Sequence, residues 1–372
     1  MKIKITPLLI LLSAGLLMLA SCGMRQDGNT GMAMEYAKGL LITKYRDYVK
    51  VEVKNPWKSG YALDTYLLVK RGEAIPDTLP DGIIVRVPLE RVIVYSDVHA
   101  RVIRELGCIS GVKGICDARY FKTDEVVSGL GDGTIVDCGS SVSPTVERVV
   151  GVSPDAIMLS PYQNGGYGVV DKLGVPVLKM ADYMENTPLG RAEWIRFIGL
   201  LFDKEMQADS IFSEVEKKYL SLKDLAGSVS VRPKVISETM TSGVWYLPGG
   251  ASYKAAMYAD AAADYPWADD KSSGSLALDF PQVLDKAENA DIWLVTSYGK
   301  ELTARDFLDI YVHNDRFAAY KNKGVYFVNS AEAEMFEETP FHPDLLLKEY
   351  IKLFHPELLP DYELRYYKPL KY

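Results

Sequence analysis

The chain reads as an α/β protein, two Rossmann-like lobes bridged by a single long inter-lobe helix. Three observations predict this. Short apolar strands alternate with amphipathic helices from about residue 83 to 180 and again from 234 to 354, the pattern of mostly parallel sheets covered on both faces. Between these stretches, Thr187 to Leu225 loses the alternation and runs at helical spacing. Roughly 350 residues follow the first apolar run, enough for two domains with separate cores.

Each element has its local reason. Tyr48 to Val53 (YVKVEV) alternates apolar and polar residues, as a half-buried strand does. Asn55-Pro56-Trp57-Lys58-Ser59-Gly60 turns the chain and Thr65 to Lys70 runs back, a hairpin leading the fold. Ile83 to Val87 and Arg91 to Tyr95 are apolar strands, the second followed by a helix from Asp97 to about Leu106. Thr134 to Asp137, Asp155 to Leu159 and Pro176 to Met180 read as strands, with Val142 to Val150 and Tyr167 to Leu173 helical between them.

At Thr187-Pro188 an N-cap residue precedes a proline at the first helical position. No proline interrupts the run to Leu225, and Trp194, Ile195, Ile198, Leu201, Phe202, Ile211, Val215 and Leu222 keep helical spacing. If continuous, such a helix is on the order of 50 Å long, enough to cross from one domain to another. Beyond Arg232-Pro233 the alternation restarts. Strands are expected at Lys234 to Glu238, Asp291 to Thr296 and Val325 to Asn329. Helices are expected at Ser252 to Ala263, Phe280 to Ala290, Ala304 to Tyr311 and His342 to Phe354.

The N-terminus is of another kind. Lys2 and Lys4 precede an apolar run from about Pro7 to Ala20. That is roughly 14 residues where a membrane span needs about 20. Leu19-Ala20-Ser21-Cys22 closes it, a hydrophobic-small-small-Cys pattern that resembles a bacterial lipoprotein signal. The resemblance implies cleavage before Cys22 and acylation of that residue, with two or more chains giving a stable anchor. It places the protein in the cell envelope, lipid-anchored to a bacterial membrane and facing the periplasm. The expected organisation is therefore residues 1–21 as signal peptide, 22–34 as a flexible tether and 35–186 as N-terminal lobe with its leading hairpin. Residues 187–227 are the linking helix and 228–372 the C-terminal lobe.

Composition narrows the chemistry. The chain is 48% hydrophobic and 25% charged with a net charge of −8, and no basic block appears, which argues against nucleic acid as a partner. Cys108, Cys116 and Cys138 match no zinc spacing; a disulfide between two of them and three buried thiols are both open readings. His99, His313, His342 and His355 are scattered, so no metal site and no cofactor is expected.

Several passages carry a resemblance that spans most of the chain. They are Val87-Pro88-Leu89-Glu90-Arg91-Val92-Ile93-Val94, Ser153-Pro154-Asp155-Ala156-Ile157-Met158-Leu159 and Gly174-Val175-Pro176-Val177. Pro188-Leu189-Gly190-Arg191-Ala192-Glu193-Trp194 and Leu284 to Leu294 (LDKAENADIWL) follow in the same order. The sequence resembles a substrate-binding lipoprotein of the iron-siderophore, haem and cobalamin ABC importers, the class III periplasmic-binding-protein fold. That family implies two lobes on a stiff helical backbone, a ligand in the cleft between them and an ABC permease as partner. It also implies a glutamate on each lobe for docking to the permease. The corresponding positions fall near Gln163 and Pro281, neither acidic, with Glu147, Asp171, Asp279 or Asp285 as possible substitutes.

The residues themselves suit a bulky metal complex such as a siderophore, haem or corrinoid. Such ligands present flat or greasy faces, and a cleft for them needs aromatic side chains at strand ends, where open α/β sheets bind their ligands. The chain holds 24 Tyr and 5 Trp. Tyr162 and Tyr167 follow the Asp155 to Leu159 strand. Trp245, Tyr246 and Tyr253 flank the start of a second-lobe helix, and Trp267 and Tyr298 occupy similar positions. Arg119, beside Tyr120, is the candidate for a ligand carboxylate. Gly165-Gly166 and Gly249-Gly250 match no phosphate-binding spacing and read as turns. The alternatives are an exported lipoprotein enzyme or an accessory protein of an outer-membrane complex on the same fold. No G-x-S-x-G or H-E-x-x-H motif supports the former.

Overall fold

The computed structural model describes residues 30–32, 34–163 and 165–372. The expected signal peptide, Cys22 and residues 22–29 and 33 of the expected tether lie outside the described residues. The end of that tether is not loose chain. Thr30–Met32 (β1) pairs antiparallel with Leu40–Lys44 (β2), which continues through Val49–Lys54 (β3), Ala62–Lys70 (β4) and Ile83–Val87 (β5). The expected hairpin is thus the centre of a five-stranded sheet, ordered β1-β2-β3-β4-β5, in which only β4 and β5 run parallel.

The N-terminal lobe follows as Val92–Val94 (β6), Asp97–Glu105 (α1), Val112–Ile115 (β7), Asp124–Asp132 (α2) and Val136–Asp137 (β8). A two-stranded ribbon, Gly139–Ser140 (β9) and Ser143–Pro144 (β10), leads to Val146–Val152 (α3), Ala156–Leu159 (β11) and Val177–Lys179 (β12). The sheet order is β12-β11-β6-β7-β8, all parallel. All residues of β6 and β11 are buried, which is why these strands read as unbroken apolar runs.

Residues 187–227 fold as three helices rather than one rod: Pro188–Ala192 (α4), Ile195–Leu201 (α5) and Glu205–Gly227 (α6). The break between α5 and α6 comes at Asp203, whose φ of 56° no α-helix accommodates. Gly199 lets α5 and α6 cross closely, since a Cβ there would meet the Ala208 Cβ at 2.6 Å. The long member, α6, has 23 residues, about 35 Å, and bridges the lobes. Its Ala208, Phe212 and Val215 belong to the N-terminal core, its Tyr219 and Ala226 to the C-terminal core.

The C-terminal lobe runs Val235–Ser237 (β13), Met240–Thr241 (β14), Val244–Pro248 (β15), Tyr253–Asp260 (α7), Ser275–Leu278 (β16), Phe280–Ala287 (α8) and Ile292–Ser297 (β17). Ala304–Ile310 (α9), Ala318–Lys321 (α10), Val325–Asn329 (β18), Met335–Glu338 (α11), Pro343–Phe354 (α12) and Lys368–Pro369 (β19) complete it. Its main sheet is β13-β17-β18-β19, parallel except for β19, beside a three-stranded antiparallel sheet β14-β15-β16.

Buried carboxylates fasten the chain ends to this frame. Glu193, fully buried, accepts backbone N–H groups from Glu35, Tyr36 and Ala37 at 2.8–3.0 Å and pairs with Arg196 at 2.7 Å. Glu185 accepts from the N–H groups of Lys38 and Gly39 and from the Trp194 indole. Glu349 does the same for the N–H groups of Arg365, Tyr366 and Tyr367. Each carboxylate satisfies several donors that folding would otherwise strand.

A second set of charges joins the lobes. Arg101 on α1 meets Glu334 at 3.0 Å, and Lys122 meets Glu337 at 3.0 Å while donating to the Ser330 and Ala333 carbonyls. Glu105 of α1 bonds His342 at 2.9 Å. Burial of the His342 ring opposes its charge, but Glu105, with Asp344 and Glu338 behind it, outweighs burial and raises its pKa above 6.5. A histidine whose pKa rises on folding stabilises fully below its unfolded value, and loses that contribution as pH climbs through the folded one. His342→Asn should therefore cost on the order of 1 kcal/mol below pH 6.5 in urea denaturation, the gap narrowing as pH rises. A gap independent of pH would contradict this bridge.

Candidate functional site

The loops that follow the parallel strands of the two lobes carry four exposed rings, Tyr120, Tyr162, Tyr183 and Tyr298. After β7, Asp117 takes a left-handed φ of 56° and a 3₁₀ turn, Ala118–Tyr120, follows. The Asp117 carboxylate holds the Ser141 N–H and hydroxyl, tying this loop to the β9–β10 ribbon. The Arg119 guanidinium lies over the Tyr120 ring at 4.6 Å, and both side chains are exposed. After β8, Val142 stands at the ribbon tip almost wholly in solvent. After β11 come Tyr162, 55% exposed, and Tyr167, half-buried, with rings edge-on at 5.8 Å. The Tyr162 hydroxyl donates to the Gly166 carbonyl, and the Tyr183 hydroxyl to that of Pro161. Burial, ahead of neighbouring Tyr162 and Asp171, pushes the Tyr167 phenol up to about 12.

Beneath these loops lies a fixed polar layer. Asp182, after β12, is fully buried between His99 (3.0 Å) and Arg191 (3.1 Å). Burial alone would raise its pKa, but its partners His99 and Arg191 hold it below the ordinary value. Arg191 also places its guanidinium 5.8 Å from the Tyr253 ring at the start of α7, so this layer touches the other lobe.

On the C-terminal lobe, Glu238 directly follows β13 with a φ of 59°. Its carboxylate takes the Lys254 ammonium at 2.6 Å, and the Thr296 hydroxyl stands 3.4 Å away. Burial works against the Lys254 charge, yet Glu238 and Tyr350 keep its pKa above the ordinary value. This pair, which sequence reading did not single out, stays partly open to solvent; its only sequence signal is a glutamate directly behind an apolar strand. Tyr298, after β17, is 71% exposed.

The remaining aromatic candidates divide by strand alternation. In β15, Trp245 and Leu247 face inward with no exposure while Tyr246 between them is 52% exposed. Trp245 stacks on Trp293 at 5.4 Å and its indole donates to the Ser237 carbonyl at 3.0 Å. Trp267 packs on Tyr265 and is also buried. Both tryptophans were expected to meet ligand; they are core residues here. Tyr253 is half-buried, with its hydroxyl out of solvent and unpartnered. The structure thus places Tyr162, Tyr246, Tyr298 and Arg119 on the surface, Tyr167 and Tyr253 part-way, and Trp245 and Trp267 inside.

Cys108, Cys116 and Cys138 are free thiols. Burial pushes those of Cys116 and Cys138 up to about 12 and about 11, leaving them protonated and unreactive. Among the described residues, no three His, Cys, Asp or Glu side chains gather as a metal site would require. None of the described helices is long and apolar enough to cross a membrane.

Trp245→Ala should cost about 3–5 kcal/mol in urea denaturation, as for a fully buried large side chain. A loss below about 1 kcal/mol would place that ring outside the core.

Comparison with known proteins agrees with this geometry. The profile of the family described as periplasmic binding protein matches residues 109–331. An uncharacterized lipoprotein of Methanocaldococcus jannaschii is 26% identical over 93% of this chain and 87% of its own. Among solved structures, a possible iron-binding (periplasmic solute-binding) protein from Staphylococcus epidermidis superposes with a TM-score of 0.58 at 17% identity, over 72% of this chain and 98% of that one. The periplasmic heme binding protein of Vibrio cholerae gives a TM-score of 0.56 at 14% identity, over 69% and 97% respectively. With its two bridged α/β lobes and a profile match that runs from the first lobe into the second, the chain belongs to the periplasmic binding protein family.

Proposed function

We propose that this protein is the membrane-tethered substrate-binding component of an ABC importer, anchored through lipid on Cys22. It binds an iron complex, siderophore or haem, or a cobalamin in the cleft between its lobes and passes it to the permease. The observation that carries this reading is the distribution of exposed rings. Tyr120, Tyr162 and Tyr298 stand on loops at the carboxyl ends of parallel strands, two from one lobe and one from the other. Rings at such ends stand where open α/β sheets bind their ligands.

Arg119 supplies a cation already stacked on Tyr120, suited to a ligand carboxylate. Tyr162, Tyr167, Tyr246 and Tyr298 supply flat apolar contact with polar tips. Two structural neighbours point to the same cargo: the Staphylococcus epidermidis protein is described as possibly iron-binding and the Vibrio cholerae protein as heme-binding. The relatives named as lipoproteins support the anchor at Cys22.

Thermal-shift titration against haem, cobalamin, ferric siderophores and divalent metals tests the reading. An organic metal complex should raise the melting temperature where bare ions do not. Tyr162→Ala and Tyr298→Ala should each weaken that ligand about 2- to 10-fold and leave the unliganded melting temperature nearly unchanged, since both rings lie on the surface. Undiminished affinity in both variants would remove the cleft from the account.

A further inference from the structure

The point where the chain enters the fold bears on how the protein stands on its membrane. β1 pairs with β2 so that its first residue, Thr30, lies opposite Lys44. Entry therefore falls at the end of the leading sheet closed by the turn from Tyr45 to Tyr48, whose ends are joined by a 2.9 Å hydrogen bond. Lys44 also reaches Glu205, the first residue of α6, at 3.4 Å. This is thus the pole of the N-terminal lobe from which α6 departs for the other lobe. Only eight residue steps separate Cys22 from Thr30, at most about 28 Å however the chain runs.

The surface at this pole has a distinct make-up. Tyr45 and Tyr48 stack with centroids 4.5 Å apart. Arg46, between them, has 82% of its side chain in solvent and pairs at 3.7 Å with Asp47, which is itself exposed. Met206, next to Glu205, is 88% exposed. Tyrosine rings, a cation and a bare apolar side chain are what settles at the headgroup level of a bilayer. The cations at this pole are paired, Lys44 with Glu205, Arg46 with Asp47 and Lys70 with Asp203.

We propose that this pole of the leading sheet rests on the lipid surface to which Cys22 is tethered. The anchor and the Tyr45–Tyr48 turn together set the orientation of the protein. The inference rests on the lipid reading of Cys22. It has a consequence for the cleft: β5 runs toward this pole and ends at Val87, shortly before β6 starts at Val92. The loops bearing Tyr120 and Tyr162 therefore lie at the opposite ends of the N-terminal strands, away from the lipid.

The test uses full-length lipidated protein on vesicles of phosphatidylglycerol and phosphatidylethanolamine that contain a nitroxide-headgroup lipid. A single fluorophore is placed at Arg46→Cys or, on the C-terminal lobe, at Asp361→Cys, both in a Cys108→Ser background. Quenching should be several-fold stronger at position 46 than at 361. Equal quenching in protein that still floats with the vesicles overturns this orientation and leaves the anchor standing. Loss of flotation overturns the lipid reading of Cys22 and this inference with it.

Discussion

One helix is shared by both hydrophobic cores, and the relation between the lobes follows from that. The first half of α6 is buried with Phe197 and Trp194 in the N-terminal lobe, the second half with Tyr258 and Tyr350 in the other. Tilting one lobe against the other would drag part of a single hydrogen-bonded rod out of one of the two cores. Close-packed interiors resist such sliding. The pairs Arg101–Glu334, Lys122–Glu337 and Glu105–His342 add a second connection at α1. Two separated points of attachment restrict rotation as one does not.

Carboxylates extend the same frame to the chain ends. Glu193 and Glu185 sit at the head of the linking helices and take five backbone N–H groups from residues 35–39. The leading sheet, which precedes the region matched by the family profile, is thereby fixed to the rigid part of the molecule. Tyr66 fastens it again, donating to the Val177 carbonyl and accepting from the Lys179 N–H at the edge of the N-terminal sheet. Whatever holds the leading sheet holds the cleft.

Much of this architecture was legible because buried parallel strands leave a plain signature. Arg91 to Tyr95, Asp155 to Leu159, Asp291 to Thr296 and Val325 to Asn329 are apolar runs, and each is a strand at nearly those bounds. β7 escaped notice because Lys113 and Gly114 interrupt it, and α2 because Gly129 and Gly131 dilute its helical pattern. The break at Asp203 had no proline or glycine to announce it. Within the candidate site, residue type was legible and direction was not. Trp245 looked like a loop aromatic ahead of Gly249-Gly250. It belongs instead to a two-residue alternation that turns Trp245 inward and Tyr246 outward. Glu238 and Lys254 lie sixteen residues apart, and only the fold brings them together.

On the proposed reading, rings on lobes tied at α6 and α1 suit a guest too large to be enclosed, since such a cleft would be formed before a ligand arrives and little ordering would be left for binding to bring about. The direct measurement is the distance distribution between spin labels on Glu147 of α3 and Asp285 of α8, one on each lobe, with and without a bound ferric chelate. The account predicts one narrow distribution that barely shifts on binding. A broad distribution that collapses to a shorter distance with ligand would contradict it, because lobes tied at both α6 and α1 have no such freedom.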